Sequence, residues 1–104
     1  GLSGQNFAFH GYLPAKDEER KKRLKELEAE SRKFRQTQLF IETPYRNRQM
    51  LEALLGALAP QTRLCVATDL SLPGETVTTL PVSAWRKKEA PDFDRRPTVF
   101  LLLA

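Results

Sequence analysis

Only five glycines, one cysteine and one histidine occur in the 104 residues. Each scarcity removes a class of chemistry. The glycines stand at 1, 4, 11, 56 and 74, so neither a GxGxxG turn nor a P-loop exists to cradle a phosphate. Cys65 is alone, which excludes an internal disulfide and a CxxC pair and reads as an intracellular, cytoplasmic chain. His10 has no second His, Cys or acid at ligand spacing, so no metal is expected and no Ser-His-Asp set can be assembled. Its expected role is that of a strand-end imidazole. The longest apolar run, Val99 to Ala104, is far too short to span a bilayer, and no membrane partner is expected.

What is present suits one small α/β domain. Hydrophobic residues make up 40 %, enough for a packed core. Lysine and arginine number 17 against 13 acids, for a net charge of +4. That bias permits an anionic partner, and solubility accounts for it equally. The chain opens on Gly-Leu-Ser-Gly without an initiator methionine and stops on an apolar strand, which reads as a domain cut from a longer protein.

Along the chain, "FAFHGYLP" (7–14) reads as a short strand and a loop. Residues 16–34 have helical composition, with Asp17 expected as N-cap, i,i+4 pairs Glu18–Lys22 and Glu19–Arg23, and a thin apolar stripe of Leu24, Leu27 and Phe34. The basic run Arg20 to Arg23 suits either a phosphate partner or a solvated face. "TQLFIE" (37–42) reads as a buried strand. A helix then follows, with Thr43 as N-cap, Pro44 at N1, and an apolar face of Met50, Leu51, Leu54, Leu55 and Leu58. "RLCVAT" (63–68), "TVTTLPV" (76–82) and "TVFLLL" (98–103) read as three more strands, with one helical turn around Trp85. The expected fold is therefore α/β, a mixed sheet of about five strands flanked by helices. Leu39, Ile41, Leu51, Leu54, Leu55, Val66, Val99 and Leu101 are its expected buried residues.

The segment "IETPYR" (41–46) is unusual for a connector. It puts Glu42 at the carboxyl end of a strand and Arg46 in the first turn of the next helix, on one rim. In open α/β sheets that rim is where ligands bind. A local Glu42–Arg46 ion pair is the equally simple alternative.

Two motifs carry a resemblance. Gly11-Tyr12-Leu13-Pro14, a charged helix, and a strand running into Glu42-Thr43-Pro44-Tyr45-Arg46 are similar to the C-terminal half of the tetrapyrrole methylase superfamily, the class III S-adenosylmethionine-dependent methyltransferases. The nearest branch is of the ribosomal RNA small-subunit methyltransferase I type, which carries Gly-Phe-Leu-Pro and Glu-Ser-Pro-His-Arg. The resemblance covers nearly the whole chain. Two elements depart from it. Thr68-Asp69-Leu70-Ser71-Leu72 stands where the branch has Arg-Glu-Leu-Thr-Lys, and Thr78-Thr79-Leu80 where it has Gly-Thr-Leu.

The resemblance implies a two-domain enzyme with a Gly-rich N-terminal domain absent from this chain, residues 1–104 forming the C-terminal domain. It implies S-adenosyl-L-methionine as cofactor, held at the adenine by Ile41, Glu42 and Thr43, with Thr78 and Thr79 contributing from a later strand. Tyr45 and Arg46 would face the substrate, and Arg48, Arg32 and Lys33 would add phosphate contacts. It also implies a homodimer. The implied reaction is 2′-O-methylation of rRNA; methylation of an anionic tetrapyrrole precursor is the alternative, and a non-enzymatic RNA-binding or interaction module is a third. No catalytic residue is singled out.

Overall fold

A computed structural model describes residues 6–104. The opening Gly-Leu-Ser-Gly, read above as the start of a cut domain, lies outside the described residues. Nine short elements follow one another: strand β1 (Phe7–Tyr12), helix α1 (Asp17–Phe34), β2 (Thr37–Ile41), a 3-10 turn (Pro44–Arg46), α2 (Asn47–Ala57), β3 (Arg63–Thr68), β4 (Thr76–Pro81), the one-turn α3 (Val82–Trp85) and β5 (Thr98–Leu103). The five strands form one sheet in the order β1-β2-β5-β3-β4. β1 and β2 are parallel, while β5 runs antiparallel to both β2 and β3. It follows that β1, β2 and β3 all point the same way and end on one edge. The expected mixed five-strand α/β sheet is what the chain forms.

Local chemistry accounts for the helices. Asp17, Glu18 and Glu19 fill the first turn of α1, and Arg32 and Lys33 the last, so both ends oppose the helix dipole favourably. The N-cap is Lys16 rather than Asp17; Asp17 instead accepts a 2.8 Å hydrogen bond from Arg20 one turn on. The other ion pairs of α1 run from Arg23 to Glu26 and Glu30, not along the i,i+4 pairs expected from the sequence. α2 ends where Leu58 turns extended ahead of Pro60. There the Arg86 guanidinium donates to the Leu55 and Leu58 carbonyls, covering the acceptors that a helix C-terminus leaves free.

All three helices lie on one face of the sheet. Leu24 and Leu27 of α1, Met50, Leu51 and Leu54 of α2, and Val82 and Trp85 of α3 close over Phe40, Leu64, Val66, Phe100 and Leu102. Phe100 stacks on Phe40 at 5.9 Å between ring centroids and takes the edge of Phe93 at 6.4 Å. The Trp85 indole donates to the Leu64 carbonyl at 2.8 Å.

This arrangement corrects the expected core. Leu51, Leu54 and Val66 are buried, but Leu39, Ile41, Leu55, Val99 and Leu101 are only half-buried. Side chains alternate across a sheet. The residues of β2 and β5 under the helices are therefore Gln38, Phe40, Phe100 and Leu102. Leu39, Ile41, Val99 and Leu101 point to the second face, which no helix among the described residues covers; Phe7, Phe9 and Val77 on its outer strands are exposed. The α1 stripe differs too. Phe34 is exposed, and Arg20, Glu28 and Ser31 are buried beside Leu24 and Leu27. The Glu28 carboxylate accepts from the Ala59 amide and the Thr62 hydroxyl, fastening α1 to the α2–β3 connection.

Replacing Phe100 by alanine should cost about 3–5 kcal/mol, the usual range for an aromatic deleted from a close-packed core. That is a large fraction of the roughly 5–15 kcal/mol available to a small domain. Urea denaturation checks it; a loss under about 1 kcal/mol would show that the stacked pair does not hold the core.

Candidate functional site

The carboxyl ends of β1, β2 and β3 and the start of β5 enclose a cleft of about 260 Å³. One wall is Ile41, Glu42 and Pro44, leaving β2. A second is Asp69, Leu70 and Leu72, leaving β3. Pro97, Thr98 and Val99, entering β5, form the third, and Tyr12 closes the side of β1.

Tyr12 reaches the cleft because β1 is bulged. Phe9 pairs with Leu39, but Tyr12, three residues on, pairs with Ile41, only two residues on. The extra residue rotates Tyr12 onto the face shared with Ile41. Gly11 makes this possible with φ at +66°, a left-handed conformation that a side chain disfavours. An isolated glycine inside a strand pattern is a bulge signal, although residues 7–14 were read only as a short strand and a loop.

Glu42 is buried, and its carboxylate folds back to accept from the Thr43 amide at 2.8 Å and the Thr43 hydroxyl at 3.1 Å. Two expectations are corrected by this. Thr43 does not cap a helix through its side chain. Its hydroxyl donates to Glu42, and the chain enters α2 through a 3-10 turn in which the Arg46 amide donates to the Thr43 backbone carbonyl. Nor does Glu42 pair with Arg46. The Arg46 guanidinium instead lies over the Tyr45 ring at 5.7 Å.

Tyr45 and Arg46 thus stand on the outer side of the turn. Tyr45, 69 % exposed, borders a shallow concavity with Arg48 and Arg95. Arg48 is held by Asp94 at 2.9 Å, and that hydrogen bond, with the carboxylate charge behind it, raises the guanidinium pKa. Arg32 and Lys33 lie at the far end of α1. Thr78 and Thr79 do not line the cleft. They sit on β4, separated from β2 by β5 and β3, and the Thr79 hydroxyl is buried without a partner. A larger hollow of about 460 Å³ opens between α1 and α2 and shares no lining residue with the cleft; in it Arg20 and Lys21 are balanced by Asp17 and Glu52.

Several residues at the cleft escaped the sequence reading. Asp69 has positive φ (54°), and its carboxylate accepts from Arg96 at 2.8 Å. Gly74 packs so close to this pair that an added Cβ would lie 3.1 Å from both partners. Asn47 is fully buried behind the third wall. No spacing rule marks these residues, because their partners are distant in sequence.

His10 lies inside β1 rather than at a strand end: one ring nitrogen faces the Gln38 side-chain oxygen at 2.5 Å and the other faces Arg23 at 3.3 Å. Among the described residues no group of three His, Cys, Asp or Glu is placed to hold a metal ion, and no helix is long and apolar enough to cross a membrane.

No protein-family model matches the chain. Curated relatives do. The chain is 32 % identical over 103 residues to the ribosomal RNA small subunit methyltransferase I of Vibrio cholerae serotype O1, covering 99 % of this chain and 34 % of that protein. It is 34 % identical over 92 residues to the protein of the same name from Escherichia coli O157:H7, covering 86 % of this chain and 31 % of that one. The chain therefore spans about a third of the length of the curated relatives it matches. Among solved structures, the methyltransferase CobJ superposes with a TM-score of 0.58 at 19 % identity, covering 96 % of this chain and 41 % of that chain. This likeness bears on the fold.

Two substitutions test the local geometry. Gly11→Ala should cost about 1–2 kcal/mol, the strain of a left-handed residue with a Cβ, and should change the environment of Tyr12, read by thermal unfolding and tyrosine fluorescence. Thr43→Ala should cost near the low end of the roughly 0.5–1.5 kcal/mol of one hydrogen bond, because no cap is lost. A Thr43→Ala loss of 2 kcal/mol or more in chemical denaturation would contradict the side-chain geometry described.

Proposed function

We propose, from the chain's membership of the tetrapyrrole methylase superfamily, that it is the C-terminal domain of a two-domain methyltransferase that uses S-adenosylmethionine and acts on small-subunit ribosomal RNA. One observation carries this reading. The segment that gave the resemblance, Glu42 to Arg46, runs from the cleft at the carboxyl ends of three parallel strands onto the exposed turn beside it. Ligands of open α/β sheets bind at such ends.

The cleft suits half of a nucleoside site. Tyr12, Ile41, Leu70 and Val99 give it apolar walls, and Glu42 and Asp69 give it a carboxylate rim. Its volume of about 260 Å³ falls below the roughly 300–1,000 Å³ of whole small-molecule sites. Ile41, Glu42 and Thr43 lie beside the adenosine in this proposal, and the Glu42 side chain, held by Thr43, stays at a fixed place on the rim. Thr78 and Thr79 are further proposed contacts, reached from the cleft only across β5 and β3.

When bound, the cofactor supplies an electrophilic methyl group, and the work left to the protein is alignment. Tyr45 offers an exposed ring for an unstacked base, and Arg46, Arg48 and Arg95 around it suit phosphates. The proposed protein is a cytoplasmic homodimer. The uncovered sheet face, with Phe7, Phe9, Leu101 and Val77, offers apolar area for association.

Calorimetry with S-adenosylhomocysteine tests the cofactor half of the proposal. The longer protein should bind it, and the 104-residue chain alone should bind weakly or not at all, since one wall set remains while the ordering cost persists. Micromolar affinity of the isolated chain would overturn the two-domain reading. Arg46→Ala in the longer protein should change stability by less than about 0.5 kcal/mol. It should lower methyl incorporation into small-subunit ribosomal RNA at least ten-fold. Transfer to a tetrapyrrole and not to RNA, or activity per folded molecule left unchanged by Arg46→Ala, would overturn the substrate assignment.

A further inference from the structure

We infer that Asn47 is a positioning residue: its side-chain amide sets the separation of the cleft walls and thereby the affinity for the nucleoside. This rests on the cleft being half of the cofactor site. Asn47 is the first residue of α2 and directly follows the segment that forms the first wall. It is 0 % exposed. Its Nδ2 donates to the Phe93 carbonyl at 2.7 Å, the Arg96 carbonyl at 2.8 Å and the Thr98 hydroxyl at 3.0 Å. Three acceptors share two hydrogens, and the amide oxygen is buried without a partner. The side chain is thus oriented entirely by what it donates to, and what it donates to is the approach to β5.

The other walls are fixed to that same approach. The Arg95 amide donates to the Pro44 carbonyl at 3.2 Å, joining it to the first wall. The Asp69 amide donates to the Pro97 carbonyl at 2.9 Å, and Arg96 holds the Asp69 carboxylate at 2.8 Å, joining it to the second. The Thr98 hydroxyl, accepting from Asn47, donates to the Arg96 carbonyl at 3.0 Å and lies 3.4 Å from the Thr68 hydroxyl at the end of β3. Three strand ends meet at residues 93–98, and Asn47 is the buried side chain that clamps the segment from behind. Asn47 does not line the cleft, so its influence on binding passes through Pro97, Thr98 and Asp69.

The test compares Asn47→Ala with Leu54→Ala in the longer protein. Leu54 is an equally buried residue of α2 that packs only into the core. Calorimetric Kd for S-adenosylhomocysteine, thermal unfolding, and hydrogen exchange at the Arg95 and Asp69 amides are measured on each. Both variants should lose stability. Only Asn47→Ala should raise Kd at least ten-fold and release the two amides, with KM for the cofactor rising more than kcat falls. Should Asn47→Ala fail to fold, Asn47→Ser keeps one donor in less space and should raise Kd at least three-fold. An unchanged Kd in the folded Asn47 variant, or an equal rise in Leu54→Ala, overturns the inference while leaving the cofactor reading intact. A wild-type protein that does not bind S-adenosylhomocysteine overturns the cofactor reading, and the inference with it.

Discussion

The last strand of the chain occupies the middle of the sheet, and the domain depends on it. Among the described residues, β5 is the only strand joining β1-β2 to β3-β4. Without it two isolated strand pairs remain, and a two-stranded pair is marginal in water. The same six residues supply Phe100 and Leu102 to the core and Thr98 to the cleft. Core packing and site geometry are thus set by one element, and the approach to that element, residues 93–97, is where the buried polar contacts concentrate.

Among the described residues the helices cover one face of the sheet only, and this shapes both the fold and the proposed function. Under the helices the aromatic stack of Phe40, Phe100 and Phe93 fills the core. On the other face Leu39, Ile41, Val99 and Leu101 form a half-buried apolar surface that runs up to the cleft. The cleft lies at the edge of that open face, and nothing among the described residues closes over it.

Much of this was legible from residue order. The apolar runs 37–42, 63–68 and 98–103 are strands, and Pro44 and Pro60 bracket the 3-10 turn and α2. The resemblance read from Gly11–Pro14 and Glu42–Arg46 is borne out by the relatives. Where the reading failed, it failed at the choice of core face, as at Leu39, Ile41, Val99 and Leu101, and at polar residues. Thr43 was expected to cap a helix, yet the Arg46 amide donates to the Thr43 backbone carbonyl in the 3-10 turn, and the Thr43 hydroxyl donates to Glu42. Glu28 and Arg20 lie outside the thin apolar stripe read on this helix, yet both are buried.

The sequence by itself determined which segments are strands and helices, because propensity, turn chemistry and apolar spacing act between neighbours. It also determined the family, through two short motifs whose backbone demands, a left-handed glycine and a proline-led turn, are local. Only the tertiary structure decided which face of each strand is core. A run such as Thr-Val-Phe-Leu-Leu-Leu is apolar on both sides, and the side that dries depends on where the helices land. Only the tertiary structure, too, revealed the role of Asn47, whose acceptors lie 46 to 51 residues away. A buried donor is satisfied by whatever the fold brings within 3 Å, and no local pattern encodes that meeting.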